Sequence, residues 1–175
     1  HCALEDEAEL ATVEKPDDPT SEARFDETDQ HSGASSLSIG VGGKYAIRFA
    51  KPIQIRSNPQ FGQQRFLRYA TRKHGAGSLE IELLHQAAPG KRAVYVSGVP
   101  ADKEAAIPES AVNVWKLELP NEWIVTTRDV YSDFGEIDVT GIAFNVPDGE
   151  RALFDHIYFG RKADDFKLLP AAPSP

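Results

Sequence analysis

The chain has 175 residues, 41% of them apolar and 26% charged, with a formal net charge of −8. One ordinary globular domain fits that length and composition. The acidic balance excludes a nucleic-acid footprint, since the nearest basic run, Arg68, Arg72 and Lys73, is too short to offset it, and no apolar window approaches the roughly 20 residues of a membrane-spanning helix.

The sequence opens at His1 rather than Met, as a processed protein or a fragment would. Cys2 is the single cysteine, so no internal disulfide can form. It reads as an inert thiol, a lipid-modified residue, an intermolecular bridge or a remnant of a cut His-Cys context. Residues 1–24 are rich in Glu, Asp, Ala and Pro, with too little apolar mass for a core, and are expected to be a linker or N-terminal arm.

From residue 25 the punctuation is that of strands. Leu37-Ser38-Ile39 and Tyr45 to Phe49 alternate around a Gly40–Gly43 turn, and Pro52 to Ile55 continues to a break at Ser57-Asn58-Pro59. Phe66 to Ala70, the strictly alternating Leu79 to Leu83, and Val94 to Val96 follow. After a proline-bearing loop come Val114 to Leu119, Trp123 to Thr127, Ile137 to Phe144 and Leu153 to Phe159. About nine short strands separated by Gly, Pro, Asn and Asp predict an all-β fold over 25–162, a two-sheet antiparallel β-sandwich or jelly roll. Residues 163–175, ending in Pro170-Ala171-Ala172-Pro173-Ser174-Pro175, are expected to be a Pro/Ala-rich C-terminal linker joining a neighbouring domain.

Two stretches carry a resemblance. Phe25-Asp26-Glu27 followed by His31-Ser32-Gly33-Ala34-Ser35-Ser36-Leu37 resembles the opening of galactose-binding-like modules, and Leu153-Phe154-Asp155-His156-Ile157-Tyr158-Phe159 resembles their closing strand. That resemblance implies a jelly roll whose two ends lie side by side. Arg65-Phe66-Leu67-Arg68-Tyr69-Ala70-Thr71-Arg72-Lys73 and Glu122 to Gly135 are similar to a module of large exported proteins of planctomycete-type bacteria, often beside c-type cytochrome domains. The second resemblance implies a periplasmic or extracellular location and names no activity. Thr71 departs from it, standing where an aromatic residue is expected.

No nucleophile elbow, zinc-protease helix, phosphate loop or dinucleotide fingerprint is present, so no enzyme is expected. Without Cys-x-x-Cys-His, covalent haem within this chain is excluded. Asp129, Asp133, Glu136 and Asp138 are close in sequence, as a carboxylate-pair enzyme would need, but they also suit a loop and an exposed strand face. Calcium is the metal expected if one is bound. In the resembling fold a site lies where the first loop meets the last strand, which implies Asp26, Glu27 or Asp29 with Asp155. The other reading is an acidic loop with a capping aspartate bonded to backbone amides.

A sugar-binding face needs exposed rings beside hydrogen-bonding groups. Trp115, Trp123 and Phe134 read as packed, which leaves Tyr69, Tyr95 and Tyr131 as the exposed rings. Arg68 and Arg72, flanking Tyr69, would hold acidic groups of a polysaccharide; the other reading is a solvated strand face. The expected function is a non-catalytic carbohydrate-binding-like accessory module of an exported bacterial protein. The alternative is a structural or protein-interaction domain scaffolding a larger exported assembly, such as an electron-transfer one.

Overall fold

Residues that alternate apolar and polar can bury one face only, and two such faces must meet to exclude water. A computed structural model describes residues 13–14, 23–86, 91–100 and 110–169. Its first strands are β1 (Val13–Glu14), β2 (Ala23–Asp26), β3 (Ser36–Ile39) and β4 (Lys44–Ile55). They are followed by β5 (Phe66–Lys73), β6 (Gly77–His85), β7 (Ala93–Val99) and β8 (Val112–Trp115). β9 (Ile124–Asp129) leads into a short helix, α1 (Val130–Phe134), before β10 (Ile137–Asn145) and β11 (Ala152–Gly160).

One sheet has the order β2-β3-β11-β5-β9 and the other β1-β4-β10-β6-β7-β8. Apart from the edge strands β1, β2 and β8, the chain changes sheet at every step except β6 to β7. That order, with β3-β11-β5-β9 facing β4-β10-β6-β7, is the eight-stranded jelly roll. The first and last strands of the roll pair directly, Leu37 opposite Phe154, as the two end motifs implied. One pairing departs from the antiparallel expectation: β8 runs parallel to β7. The connection between them, about a dozen residues, is long enough for such a return.

The core lies between the sheets. Ile39, Ile47, Ile55, Ile81, Ile142, Phe144 and Phe154 are sealed from solvent there, with the Phe144 and Phe154 rings 4.9 Å apart across the interface. Two irregularities shape the surface. In β4, residues 49–52 stand opposite Thr140 alone, between the Arg48–Gly141 and Ile53–Val139 pairs. Pro52, which has no N–H to give the ladder, lies in this bulge. In β11, His156 and Ile157 stand opposite Tyr69 alone, and His156 takes φ +56.

Both expected linkers contribute structure where they are described. Val13–Glu14 pairs with β4, within the expected N-terminal arm. In the expected C-terminal linker, Ala163–Leu168 forms a 3-10 turn whose Phe166 is buried against the end of β11. That one apolar ring supplies the docking which the Pro/Ala composition hid. Cys2 and residues 170–175 lie outside the described residues.

Candidate functional site

Along β5, Leu67, Tyr69, Thr71 and Lys73 face inward, while Arg68 and Arg72 face out. Tyr69 is 1% exposed and Tyr95 1% exposed, their rings 6.3 Å apart between the sheets. The expectation that these two are exposed sugar-binding rings is therefore corrected. Alternation puts Tyr69 on the face opposite its neighbouring arginines, and β7 is buried over nearly its whole length. Burial pushes both phenols up from their ordinary value. Thr71 also points inward, so an aromatic at this position would be a core residue, not a platform. Tyr131 is half-buried with the Arg65 guanidinium 5.3 Å from its ring.

Arg68 and Arg72 do share the outer face, but Arg72 is committed. Its Nη1 donates to Asp29 at 2.9 Å and its Nε to Asn121 at 3.2 Å, while Arg68 reaches Thr127 at 3.4 Å. Trp123, expected in the core, precedes β9 and donates from Nε1 to Asp29 at 3.3 Å. Trp115, also expected to be packed, is 36% exposed because the chain leaves the sheet there, breaking the alternation with Leu117 and Leu119.

The carboxylates named for calcium do not converge. Asp155 accepts the backbone N–H groups of His31 (2.7 Å), Ser32 (2.9 Å) and His156 (2.6 Å). Asp26 accepts from Thr28 N–H and Oγ1, and Asp29 from Arg72 and Trp123; Glu27 is exposed. Calcium wants six to eight oxygens turned toward it, and N–H dipoles turned toward Asp155 oppose that. Among the described residues no group of three His, Cys, Asp or Glu side chains is placed to hold a metal. The arrangement is a clip. Asp155 ties the loop before β3 onto β11, Ser32 Oγ lies 2.9 Å from His156 Nδ1, and the rings of Trp123, His31, His156 and Tyr158 follow one another at 4.7–5.8 Å. Sequence reasoning treated the histidines singly. The clue it passed over was that the two end motifs each carry one.

Concave space lies elsewhere. A groove of about 910 Å³ runs over the β4 bulge and the adjoining ends of β10, β6 and β7, with α1 on one side. Its walls include Pro52, Arg56, His85, Arg92, Asp133, Phe134, Glu136 and Asp138. α1 is fixed by Asp129, whose side chain accepts Ser132 N–H at 3.1 Å and pairs with Arg65 at 2.6 Å. That places Phe134 against Tyr95 and Asp133 within reach of Tyr95 Oη (3.0 Å) and Arg128 (2.6 Å). Arg56 donates to Asp138 at 2.7 Å, and Arg92, from the far wall, to Glu82 at 2.8 Å.

Carboxylate catalysis needs a carboxyl held protonated as general acid. Asp155 is raised by burial against the pull of its three amides, and it lies under the N-terminal loop, outside the groove. Asp129 and Glu82 go the other way. Burial alone would raise Asp129, but its bonds from Arg65 and Ser132 hold it low, and Arg92 holds Glu82 low. Lowered carboxylates contribute stability above the unfolded value, about 4, that is lost as pH falls through the folded values. Through these two groups the melting temperature is expected to drop as pH falls below about 4. Arg65→Gln should lower it at pH 7 and flatten the acid slope; an unchanged slope would show that the pair contributes nothing.

No family model matches the chain, and no curated protein does. Solved structures with a similar fold include the Endo-D glycoside hydrolase domain from Streptococcus pneumoniae, 19% identical with a TM-score of 0.47 over 82% of this chain and 20% of that one. The chain thus spans about a fifth of that domain's length. TmCBM61 in complex with β-1,4-galactotriose matches at 9% identity and a TM-score of 0.43, over 82% of this chain and 86% of that one. The family 11 carbohydrate-binding module from Clostridium thermocellum, in complex with a β-1,3-1,4-mixed-linked tetrasaccharide, matches at 9% identity and 0.45, over 81% and 84%.

Proposed function

We propose that this jelly roll is a non-catalytic glycan-binding module, docking saccharide in the groove between α1 and the ends of β4, β10, β6 and β7. One observation carries the reading: the Arg56–Asp138 pair and the half-buried Phe134 ring line the same groove. A hydroxyl both donates and accepts, so a paired guanidinium and carboxylate can each take one without either charge being left alone. The ring gives the apolar C–H surface of a sugar something to pack on. Work outside the cytoplasm, beside other domains of a longer exported chain, belongs to the same proposal and is supported by the sequence resemblances.

Shallow sites of this sort are expected to bind with dissociation constants of roughly 10 μM to 1 mM. Affinity electrophoresis and calorimetry against soluble galactan, mixed-linkage glucan, xylan and a uronate polymer test it. Arg56→Ala with Asp138→Ala, removing the pair together, should weaken binding about tenfold, equivalent to ~1.4 kcal/mol. Binding to no glycan, or equal binding by the double variant, would remove the groove from consideration.

A second reading, a docking module for another protein, has one observation behind it. Trp115 is 36%, Leu117 70% and Val99 38% exposed, and Trp115 stands opposite Ser97 at the β8 edge. The groove variants separate the two readings, because they leave that edge intact.

A further inference from the structure

Phe61 is 97% exposed, the most exposed large apolar side chain described. It sits at the tip of the β4–β5 connection, and that tip is not loose. Gln63 N–H donates to Gln60 O at 3.0 Å, closing a turn around Phe61-Gly62, and Gln60 N–H donates to Gln63 Oε1 at 2.9 Å. Lower down, Arg56 N–H bonds Gln64 O at 3.0 Å, Gln64 N–H bonds Gln54 O at 2.8 Å, and Arg65 Nη1 holds Ser57 O at 2.8 Å. A fastened turn therefore holds a phenyl ring out in water, where it lacks the apolar cover such rings ordinarily find.

We propose that Phe61 is a stacking platform for a saccharide chain, a second contact beyond the groove; the proposal rests on the glycan-binding reading above. Two features choose this occupant. Residues 57–64 carry no ionisable side chain in a protein that is 26% charged, so the turn itself offers amides and one hydroxyl; Arg65, Arg161 and Lys162 line a cleft against Ser57 to Pro59, at the base of the connection, that does not include Phe61. Anionic lipid and nucleic acid recruit Lys and Arg around such a ring, and protein partners need a contiguous apolar patch of several hundred Å² instead of one ring. A neutral polyhydroxyl chain needs what is here: one pre-positioned aromatic face, with Gln60, Gln63 and Asn58 about it to exchange hydrogen bonds. Continuity is supplied by Arg56, which stands at the base of this connection and also lines the groove.

The test uses the full chain and the soluble neutral polymer found to bind it. Because Phe61 packs on nothing, Phe61→Ala should melt with wild type, yet bind the polymer at least tenfold more weakly. Phe61→Trp should bind as well as wild type and shift its emission to the blue on adding polymer. If Phe61→Ala binds as wild type does, the platform is overturned and the groove reading stands. If the loss follows Phe61→Ala while the Arg56/Asp138 double variant binds normally, the platform holds and the groove reading falls. Should wild type bind no glycan, yet sediment with phosphatidylcholine vesicles through Phe61, the ring belongs to a membrane contact and both proposals fail.

Discussion

Replacing Asp155 with alanine is expected to destabilise the fold by about 3–5 kcal/mol, the range of changes that strand several buried donors at once. The side chain is 3% exposed, and its two oxygens take three backbone N–H groups, two from the loop before β3 and one from the bulge in its own strand. Alanine removes the acceptor that these three backbone N–H groups share. It also frees His156, whose φ of +56 costs about 1–3 kcal/mol for a residue with a Cβ and persists only where the surroundings fix it. Asparagine gives the sharper comparison. Its oxygen can still accept from His31 and Ser32, but its NH2 then faces the His156 N–H, so Asp155→Asn should cost roughly a third to a half as much. Urea midpoints with unchanged slopes would report this directly. Alanine costing under about 1 kcal/mol would mean that water replaces the carboxylate and that the clip is not what joins the two ends of the roll.

Much of this architecture was legible because it depends on alternation and punctuation. The HSG segment and the Asp155-His156-Ile157-Tyr158 segment were readable as neighbours, and they meet through Asp155. Side-chain roles were less legible, for definite reasons. Sequence proximity groups Tyr69 with Arg68 and Arg72, although period two turns its side chain to the opposite, inward face of β5. Trp115 extended an alternating run only on paper, since nothing in Leu117 or Leu119 announces that the strand has ended. The groove could not be read at all. It needs the β4 bulge, α1 and the β6–β7 ends together, and no local pattern relates Arg56 to Asp138, 82 residues away. Phe61 could have been found: a lone ring before glycine in an uncharged Gln/Asn run has no core to join.

Lys73 belongs with the illegible residues, and it leads to the second large effect. It is 1% exposed, and its ammonium donates to the carbonyls of Asp148 (3.0 Å) and Glu150, while burial pushes its proton affinity down. Asp148 Oδ1 in turn accepts Ser78 N–H at 2.5 Å and Ser78 Oγ at 3.0 Å, so the β10–β11 connection is pinned onto the turn between β5 and β6. Gly149 sits inside this contact at φ +77, where an added Cβ would overlap the Ala76 carbonyl oxygen. Neither side can yield without pulling Asp148 from Ser78 or the carbonyls from Lys73. Gly149→Ala is therefore expected to combine the left-handed penalty of about 1–2 kcal/mol with the overlap, for a total of roughly 3–5 kcal/mol. Gly42→Ala is the control. Gly42 has φ +71 with nothing within 4 Å of the added carbon, so the left-handed penalty acts alone. In a chain this long the difference between the two should appear as about 5–12 °C in melting temperature. Equal losses at the two glycines would show that the β10–β11 connection can lift off the turn freely, and that the buried Lys73 contact does not hold it there.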